Sequence, residues 1–323
     1  MKALFVHNPS FHLNERTEDL IQILRDVDEV ITTPKMARAC RENVITATDF
    51  EPRGTGYVQD IEDMVEHALK NDVDLFITAG GDGTASYVAS AAIKHQKEGS
   101  EPIRILSYPA GTENIGPIVH KLNNIKTNDL YDMKEVKLDA IEVSLGNHIL
   151  GYGFNDVIIG NTYLGTLDGN VVNLDARALA LEGRKKRTSV SHNIVTDDFK
   201  VELNGERMNI HNRILQICIS PLQFMSKVPH VVLGGLMFGI GYDHAATLAL
   251  LDRNLTDTEV SNWDIHCITN ATHLCFDEND TLKLSGFTEN AQIIIDGNPF
   301  VRTEEEITLR LRPWAVTALW AED

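Results

Sequence analysis

Apolar and polar residues follow two different patterns along the chain, and the first 130 residues alternate between strand and helix. Short apolar runs predict buried strands at residues 3–6, 29–32, 44–46, 73–78 and 103–108. Apolar residues at helical spacing, or an alanine-rich stretch, predict helices over 17–25, 59–69 and 85–95. Strands that alternate with helices are typical of a parallel sheet with helices on its faces.

After about residue 135 the pattern changes to short strands in which apolar and polar residues alternate. Such runs occupy residues 141–145, 199–203, 293–295 and 307–311. Asn204-Gly205 follows one run directly and is a strong two-residue hairpin signal. One helix is predicted over about 174–186. The pattern indicates a mainly β region of sandwich or barrel type.

The two patterns and the length of 323 residues predict two domains. The predicted fold is α/β, with a Rossmann-like αβα domain at residues 1–135 and a mainly β, sandwich-like domain at 136–323. This prediction allows the C-terminal tail to return to the first domain. We expect a ligand of the first domain at the carboxyl ends of its strands, where open α/β sheets bind their ligands.

The charge balance narrows the choice of partners. The chain has 29 Lys and Arg against 47 Asp and Glu, which gives a net charge of −18. Such acidity argues against sequence-independent binding to nucleic acid, which needs cations to neutralise phosphates. It also argues against passive adhesion to an anionic bilayer. No nucleic-acid partner is therefore predicted.

Neither a leader nor a membrane span is predicted from the apolar segments. The first residues predict a strand that ends at Asn8-Pro9, and the longest apolar run, 231–240, is too short to cross a bilayer. The cysteines, which we expect to be small buried side chains in a reducing compartment, are Cys40, Cys218, Cys267 and Cys275. The default location is the cytoplasm.

The strongest local motif is Gly80-Gly81-Asp82-Gly83-Thr84, between a predicted buried strand and a predicted helix. Glycines let the backbone approach a ligand, and the amides of a helix N-terminus bind anions. An acidic residue within a phosphate site would repel the phosphates unless it binds Mg²⁺ or forms a hydrogen bond with a hydroxyl group. Asp82 is therefore a candidate catalytic residue. The competing interpretation is a tight turn in which Asp82 or Thr84 is the helix N-cap.

A second turn follows the next predicted strand, at Pro109-Ala110-Gly111-Thr112-Glu113-Asn114. With Asn8-Pro9 at the end of the first strand, the two turns are expected to line one crevice. No GxxxxGK[ST] loop occurs, and Gly151-Tyr152-Gly153 lacks the last glycine of a dinucleotide fingerprint because Asp156 stands there.

AGGDGT at 79–84 and YPAGTEN at 108–114 resemble the diacylglycerol kinase catalytic family, which shares a superfamily with NAD kinases. GYGFND at 151–156 and Asp296-Gly297 add to the resemblance by their order along the chain. The resemblance implies ATP- and Mg²⁺-dependent phosphoryl transfer to a lipid hydroxyl, with the nucleotide held between the domains. The implied partners are a lipid substrate and, transiently, a membrane; a homodimer is left open.

The same resemblance assigns roles to individual residues. Those expected to contact the nucleotide are Asn8, Thr55, Gly80, Gly81, Asp82, Gly83, Thr84, Gly111, Thr112 and Asn114. Asp296 falls at the position of the family's general base, which accepts the hydroxyl proton. Asp243, with the carbonyls of Ile240 and Ala245, falls where related bacterial enzymes hold a structural Mg²⁺.

Four residues depart from the family pattern and keep two alternatives open. They are Glu113, Ile115, His244 and Asn298. One alternative is a catalytically inactive member that binds nucleotide or lipid. The other is an NAD kinase, although Glu113-Asn114 reverses the order of the acceptor-binding pair in those enzymes.

Other candidate features are given structural interpretations. The basic run 184–187 could meet anionic headgroups, but a solvated helix end whose cations suit the helix dipole is preferred. Residues 231–241 could line a lipid pocket or form a central strand. A core strand with satisfied histidines is preferred to a zinc site at His266, Cys267, His273 and Cys275. Turn or surface roles are expected for Asp139, Asp156, Asp168 and Asp175.

Overall fold

The computed structural model describes twelve segments of the chain. They are residues 1–14, 17–54, 56–97, 99–110, 116–119, 130–168, 170–188, 192–210, 213–223, 242–254, 270–300 and 305–321. These residues form two compact units. The first lies within Met1–Leu138 and Trp314–Asp323, and the second within Asp139–Ser226 and Val231–Pro313.

The elements of the described residues change character along the chain in the way that the apolar pattern predicts. The helices are α1 Glu18–Arg25, α2 Pro34–Glu42, α3 Tyr57–Lys70, α4 Asp82–His95 and α5 Ala176–Glu182. The strands up to residue 160 are β1 Lys2–His7, β2 Glu29–Thr32, β3 Ala47–Asp49, β4 Leu75–Gly80, β5 Ile103–Pro109, β6 Lys134–Leu145, β7 His148–Gly153 and β8 Val157–Gly160. The later strands are β9 Thr162–Leu167, β10 Asn170–Asp175, β11 Val195–Leu203, β12 Glu206–Met208, β13 Gln216–Pro221, β14 Ala245–Leu251, β15 Ala271–Asp277, β16 Leu282–Phe287, β17 Gln292–Ile295, β18 Asn298–Phe300 and β19 Ile307–Trp320.

The first unit is built on a parallel sheet in the order β3-β2-β1-β4-β5, which the end of β19 extends beside β5. Val316–Ala318 pairs in parallel with Ile103–Ile105. Helices α1 and α2 share an apolar core with β1 and β2, while α3 contacts β1 and α4 contacts β4 and β5. The apolar runs that predicted these strands are buried: every residue of β4 is inaccessible or nearly so.

Two elements of this unit differ from the sequence-based expectation. Helix α2 was not predicted, because only three of its residues are buried, although Pro34 at its first position and Thr33 before it are typical of a helix start. The strand expected at 44–46 begins three residues later, because Val44 takes a left-handed φ of 61° in the turn after α2.

The second unit consists of antiparallel strands in two layers. One sheet has the order β15-β14-β13-β8-β17-β18, and a second group pairs β12, β11, β16 and the start of β19. A single apolar core joins residues of both layers, such as Ile159 and Ile293 on one side with Val201 and Leu284 on the other. The structure thus confirms the predicted α/β class, with a parallel sheet and additional antiparallel sheets.

The cysteine and histidine predictions are only partly right. Cys40 and Cys218 are buried, and burial raises the pKa of the Cys40 thiol to about 11. Cys275 and His273, however, point to solvent from β15, whose buried residue is Phe276. The predicted core strand is therefore wrong for these two side chains, and His266 and Cys267 lie outside the described residues.

Helix α5 is shorter than the helix expected over 174–186. Asp175 is its N-cap and accepts a hydrogen bond from the Ala178 amide at 2.9 Å, and Gly183 ends it in the left-handed conformation. The basic run at 184–187 therefore directly follows the C-terminus of the helix instead of forming its last turn, and its four side chains are exposed, as the solvated helix end predicts. No helix in the described segments has the length and apolarity that a membrane span requires.

Candidate functional site

Three parallel strands of the first unit end side by side. His7 pairs with Ala79 and Gly80 pairs with Pro109 in the registers of β1, β4 and β5. Hydrogen bonds continue just beyond the strands, from the Asn8 amide to the Ala79 carbonyl at 2.8 Å and from the Ala110 amide to the Gly80 carbonyl at 2.9 Å. The residues that follow these strands therefore share one edge of the sheet, as predicted for a ligand site.

Asn8 shapes the turn after the first strand. Its side-chain oxygen accepts hydrogen bonds from the Ser10 amide at 3.0 Å and the Ser10 hydroxyl at 2.8 Å. This is an Asx turn, which reverses the chain at the sheet edge. Beside it the imidazole of His7 contacts the Asn8 carbonyl and the Thr33 hydroxyl, and burial lowers the pKa of His7.

The glycine motif connects the end of β4 to the start of α4 without an intervening loop. Gly81 is the N-cap residue, so the competing interpretation, in which Asp82 or Thr84 is the N-cap, is wrong. A glycine N-cap brings no side chain to the helix start, and the positive end of the helix dipole lies at the sheet edge. An anion is the ligand that such a helix start suits best.

Thr84 is buried inside the motif and stabilises it. Its hydroxyl oxygen lies 3.0 Å from the hydroxyl of Tyr57, the first residue of α3. Burial raises the pKa of this tyrosine, which keeps it protonated and able to share a hydrogen bond. The start of α3 and the start of α4 are thereby fixed to each other.

The close approach of Thr84 explains why a glycine precedes the turn. A Cβ atom placed on Gly80 would lie 2.6 Å from the Thr84 Oγ1 atom and 2.8 Å from its Cβ atom. These distances are far below van der Waals contact, and the Thr84 side chain is held in place by its hydrogen bond to Tyr57. Gly80 is thus required by packing inside the motif.

We expect Gly80→Ala to lower the free energy of unfolding by about 1–3 kcal/mol, since it overpacks the turn. Urea unfolding would measure the change. Gly160→Ala is the matched control, because Gly160 also ends a strand but a Cβ atom there would find its nearest neighbour at 3.8 Å. Equal stability losses in the two variants would contradict the packing role.

Asp82 lies in the first turn of α4 and packs against the chain at Gly116. A Cβ atom on Gly116 would be only 2.9 Å from the Asp82 Oδ1 atom. The absence of a side chain at Gly116 therefore leaves the room that this carboxylate occupies. Asp82 is half-buried at the same sheet edge as Asn8 and Gly80.

An ion pair that the sequence analysis missed holds the segment before α3. Asp63 has a side-chain exposure of 5%, and it accepts hydrogen bonds from the Arg53 amide at 3.1 Å and from the Arg53 Nε atom at 2.7 Å. The guanidinium holds the pKa of Asp63 well below its usual range. The clue in the sequence was an acid, Asp63, within the apolar stripe of α3. Arg53 brings a cation to the segment leading to Thr55.

In the second unit, Asp296 occupies the tight turn between β17 and β18. It has a φ of 44°, and Gly297 follows with a φ of 79°. Its carboxylate is buried and accepts three backbone hydrogen bonds, from the amides of Phe154 at 2.9 Å, Asn155 at 2.9 Å and Asp156 at 3.0 Å. The Asp296 amide in turn donates to the Asp156 carbonyl at 3.0 Å.

These bonds join two motifs that stood apart in the sequence. The amides converge on Asp296 from the GYGFND segment, so the carboxylate fixes the path of the chain between β7 and β8. Donors directed at a carboxylate favour its ionised form. Asp296 is therefore an anchor of this loop.

The predicted structural Mg²⁺ site is described for two of its three residues. Asp243 is exposed, and the Ala245 carbonyl accepts a hydrogen bond from the Leu222 amide at 2.8 Å. Across the described segments, no three or more His, Cys, Asp and Glu side chains are grouped so that they could hold a metal ion. Asp243 has the oxygen ligands that Mg²⁺ prefers, but its role as a metal ligand stays a prediction.

Asp139, expected to be a turn or surface acid, is fully buried on β6. Its carboxylate accepts a hydrogen bond from the His244 amide at 3.0 Å, and its own amide donates to the Gln223 side chain at 3.0 Å. The expectation was wrong for this residue. Asp139 fixes the backbone at His244, which has a left-handed φ of 58°.

Several predicted site residues lie outside the described residues. They are Thr55, Gly111, Thr112, Asn114 and Ile240, together with the unusual Glu113 and Ile115 and the apolar segment 231–241. Their assignments stay predictions. The candidate residues that the structure describes are thus the Asn8 turn and the glycine motif in the first unit and, separately, Asp296 and Asp243 in the second unit.

A family comparison supports the assignment of the first unit. Residues 32–143 match the family described as the diacylglycerol kinase catalytic domain. This segment contains the Arg53–Asp63 pair, the whole glycine motif and Gly116. The resemblance inferred from AGGDGT and YPAGTEN is thereby confirmed.

Two further proteins are similar to this chain. An uncharacterized protein of Archaeoglobus fulgidus is 32% identical over 183 residues, which cover 55% of this chain and 54% of that protein. The match thus spans about half the length of this curated relative. The crystal structure of yeast NADH kinase complexed with NADH matches with a TM-score of 0.54 and 13% identity, over 99% of this chain and 83% of that one. At this identity the likeness shows the fold alone.

Proposed function

We propose that this protein is an ATP- and Mg²⁺-dependent kinase that transfers the γ-phosphoryl group to a lipid hydroxyl. The observation that carries the proposal is the direct junction of β4 and α4 through Gly80 and Gly81 at the edge of a parallel sheet, within the segment similar to diacylglycerol kinase catalytic domains. In this proposal the enzyme works in the cytoplasm and meets membranes transiently.

The glycine motif is the proposed phosphate site. The N-terminus of α4 supplies backbone donors and a positive dipole end, which suit the negative charge of a nucleotide. Tyr57 and Thr84 hold this helix start in position by their hydrogen bond. Bound Mg²⁺ supplies positive charge that offsets the phosphates. Asp82, whose carboxylate offers hard oxygen ligands at the same edge, is the residue that would hold it.

Asp296 is the proposed proton acceptor for the lipid hydroxyl. Its three backbone donors stabilise a negative charge on the carboxylate and limit its motion, so that its oxygens have fixed positions. Phosphoryl transfer relies mostly on positioning and charge neutralisation, and a carboxylate with fixed oxygens can in addition accept the hydroxyl proton.

The proposal is tested by one assay with labelled ATP against several acceptors. The panel is diacylglycerol, sphingosine, phosphatidylglycerol, ceramide and NAD. We expect Mg²⁺-dependent transfer of the label to at least one lipid. Label on NAD alone would favour the alternative of an NAD kinase, which the fold likeness to yeast NADH kinase motivates. Binding of ATP by calorimetry without transfer to any acceptor would favour a catalytically inactive member of the family.

A further inference from the structure

The turn that follows α5 carries a concentrated positive charge. We define the basic turn as residues 184–187, Arg-Lys-Lys-Arg, together with Leu181 on the last turn of α5. All four basic residues are exposed, and Leu181 is 56% exposed although it is a large apolar side chain. Of the five Arg and Lys residues within 176–188, Arg177 forms an ion pair with Glu289 and Arg184 one with Glu182. The positive charge of the basic turn therefore comes mainly from Lys185, Lys186 and Arg187, in a chain whose net charge is −18.

Backbone hydrogen bonds fix the basic turn to the strand that precedes the helix. The Asp175 amide donates to the Lys186 carbonyl at 2.8 Å, and the Thr188 amide donates to the Asn173 carbonyl at 3.0 Å. The Gly183 amide closes the helix on the Leu179 carbonyl at 3.0 Å. The cations are thus presented on an ordered scaffold, which lowers the entropy cost of binding a surface.

The basic turn directly follows helix α5, which packs against the Asp296 hairpin. Helix α5 packs against β17 and β18, the two strands that Asp296 connects. An ion pair between Arg177 and Glu289, at 2.9 Å, ties α5 to the residues that lead into β17. The basic turn therefore follows a helix that packs directly on the two strands joined by the proposed proton acceptor.

We infer that the basic turn docks this unit on the surface of an anionic phospholipid bilayer. Lys185 and Lys186 would meet headgroup phosphates, and Leu181 would enter the boundary between headgroups and acyl chains. The exposed leucine favours a bilayer over nucleic acid, since residues 176–188 contain no aromatic side chain on which bases could stack. That docking brings a lipid hydroxyl to Asp296 rests on the proposed function; the docking itself does not.

Vesicle binding tests the inference directly. We expect the purified protein to sediment with phosphatidylglycerol vesicles and not with phosphatidylcholine vesicles. Lys185→Glu with Lys186→Glu should weaken this partition by roughly tenfold or more, since it replaces two cations near the surface with anions that the headgroups repel. Leu181→Ala should weaken it by roughly threefold to fivefold through lost apolar burial.

The matched control is Arg207→Glu with Arg213→Glu, which makes the same change of charge at exposed positions of the same unit. We expect it to bind vesicles within about twofold of the unaltered protein, because a few charges away from the contact act only through a screened field. Equal losses in both double variants, or no binding of the unaltered protein, would overturn the inference. Competition by an oligonucleotide with no effect of Leu181→Ala would replace it with a nucleic-acid surface.

A catalytic readout separates docking from the reaction. If the docking presents the acceptor, Lys185→Glu with Lys186→Glu should lose transfer to a lipid in anionic vesicles while keeping transfer to a soluble short-chain lipid. Equal loss on both substrates would overturn this part. Vesicle binding without transfer to any lipid would leave the docking established and refute the proposed function instead.

Discussion

Asp296→Asn should lower the free energy of unfolding by about 2–4 kcal/mol, because a buried carboxylate that accepts three backbone amides would be replaced by a group with one acceptor oxygen. The amide NH₂ would face a donor from Phe154, Asn155 or Asp156. The backbone itself does not oppose the change, since Asn tolerates the left-handed φ of 44° at this position. The loss therefore reports on the carboxylate alone.

Asp168→Asn is the control for this variant. Asp168 lies in the second unit, takes a left-handed φ of 51° and is exposed in the turn between β9 and β10, so the same substitution should change stability by less than about 0.5 kcal/mol. Urea unfolding would compare the two. A stable Asp296→Asn variant would refute the anchoring role.

The same variant separates the anchoring role from proton acceptance. Phosphoryl transfer would be measured far below the melting temperature, where the variant is folded. If Asp296 is the general base, kcat falls by roughly 10²-fold or more even there. Unchanged kcat in folded protein, combined with lowered stability, would leave Asp296 as an anchor and exclude it as the base.

The strands and helices of the first unit were predictable because each buries one periodic set of apolar residues. The runs at 3–6 and 103–108 became β1 and β5, each extended by one or two residues, and the run at 73–78 became β4, which lies two residues later at 75–80. The register of their ends was also implied, since parallel strands joined by helices end at one edge. Helix α2 lacked a large apolar stripe and was missed for that reason.

Pairings between distant residues could not be read from periodicity. Asp296 and the GYGFND segment are about 140 residues apart, and the sequence marks both without saying that one binds the other. Asp139 looked like a surface acid because its charge was considered without its partners, the His244 amide and Gln223. A buried charge needs such partners, and tertiary structure supplies them.

The sequence explains only part of the reason why glycines occupy this motif. Their spacing indicates a tight junction between a strand and a helix, which the structure has. The reason for Gly80 in particular is the side chain of Thr84, four residues later, held by Tyr57 from another helix. From composition alone, such a glycine would be explained by the close approach of a ligand, whereas the contacts in the structure show that packing requires it.

Asp82→Asn should reduce phosphoryl transfer by roughly 10²- to 10³-fold in kcat, since it removes a charge that the proposed reaction uses to hold Mg²⁺ against the phosphates. The fold should persist, because Asn has the same shape and fills the space beside Gly116. The Mg²⁺ concentration that gives half-maximal activity should rise as well. Steady-state assays over a range of Mg²⁺ concentrations, with unfolding measured in parallel, would show both effects.

Asp19→Asn provides the comparison for Asp82→Asn. Asp19 is also a half-buried acid in the first turn of a helix of the same unit, and its carboxylate lies 3.3 Å from the Tyr108 hydroxyl. Both substitutions remove one negative charge near a helix N-terminus, which costs about 0.3–1 kcal/mol of stability in each case. Only Asp82→Asn should change the Mg²⁺ requirement. If the two variants lose activity equally, or if Asp82→Asn stays within threefold of the unaltered protein, Asp82 does not act on the phosphates.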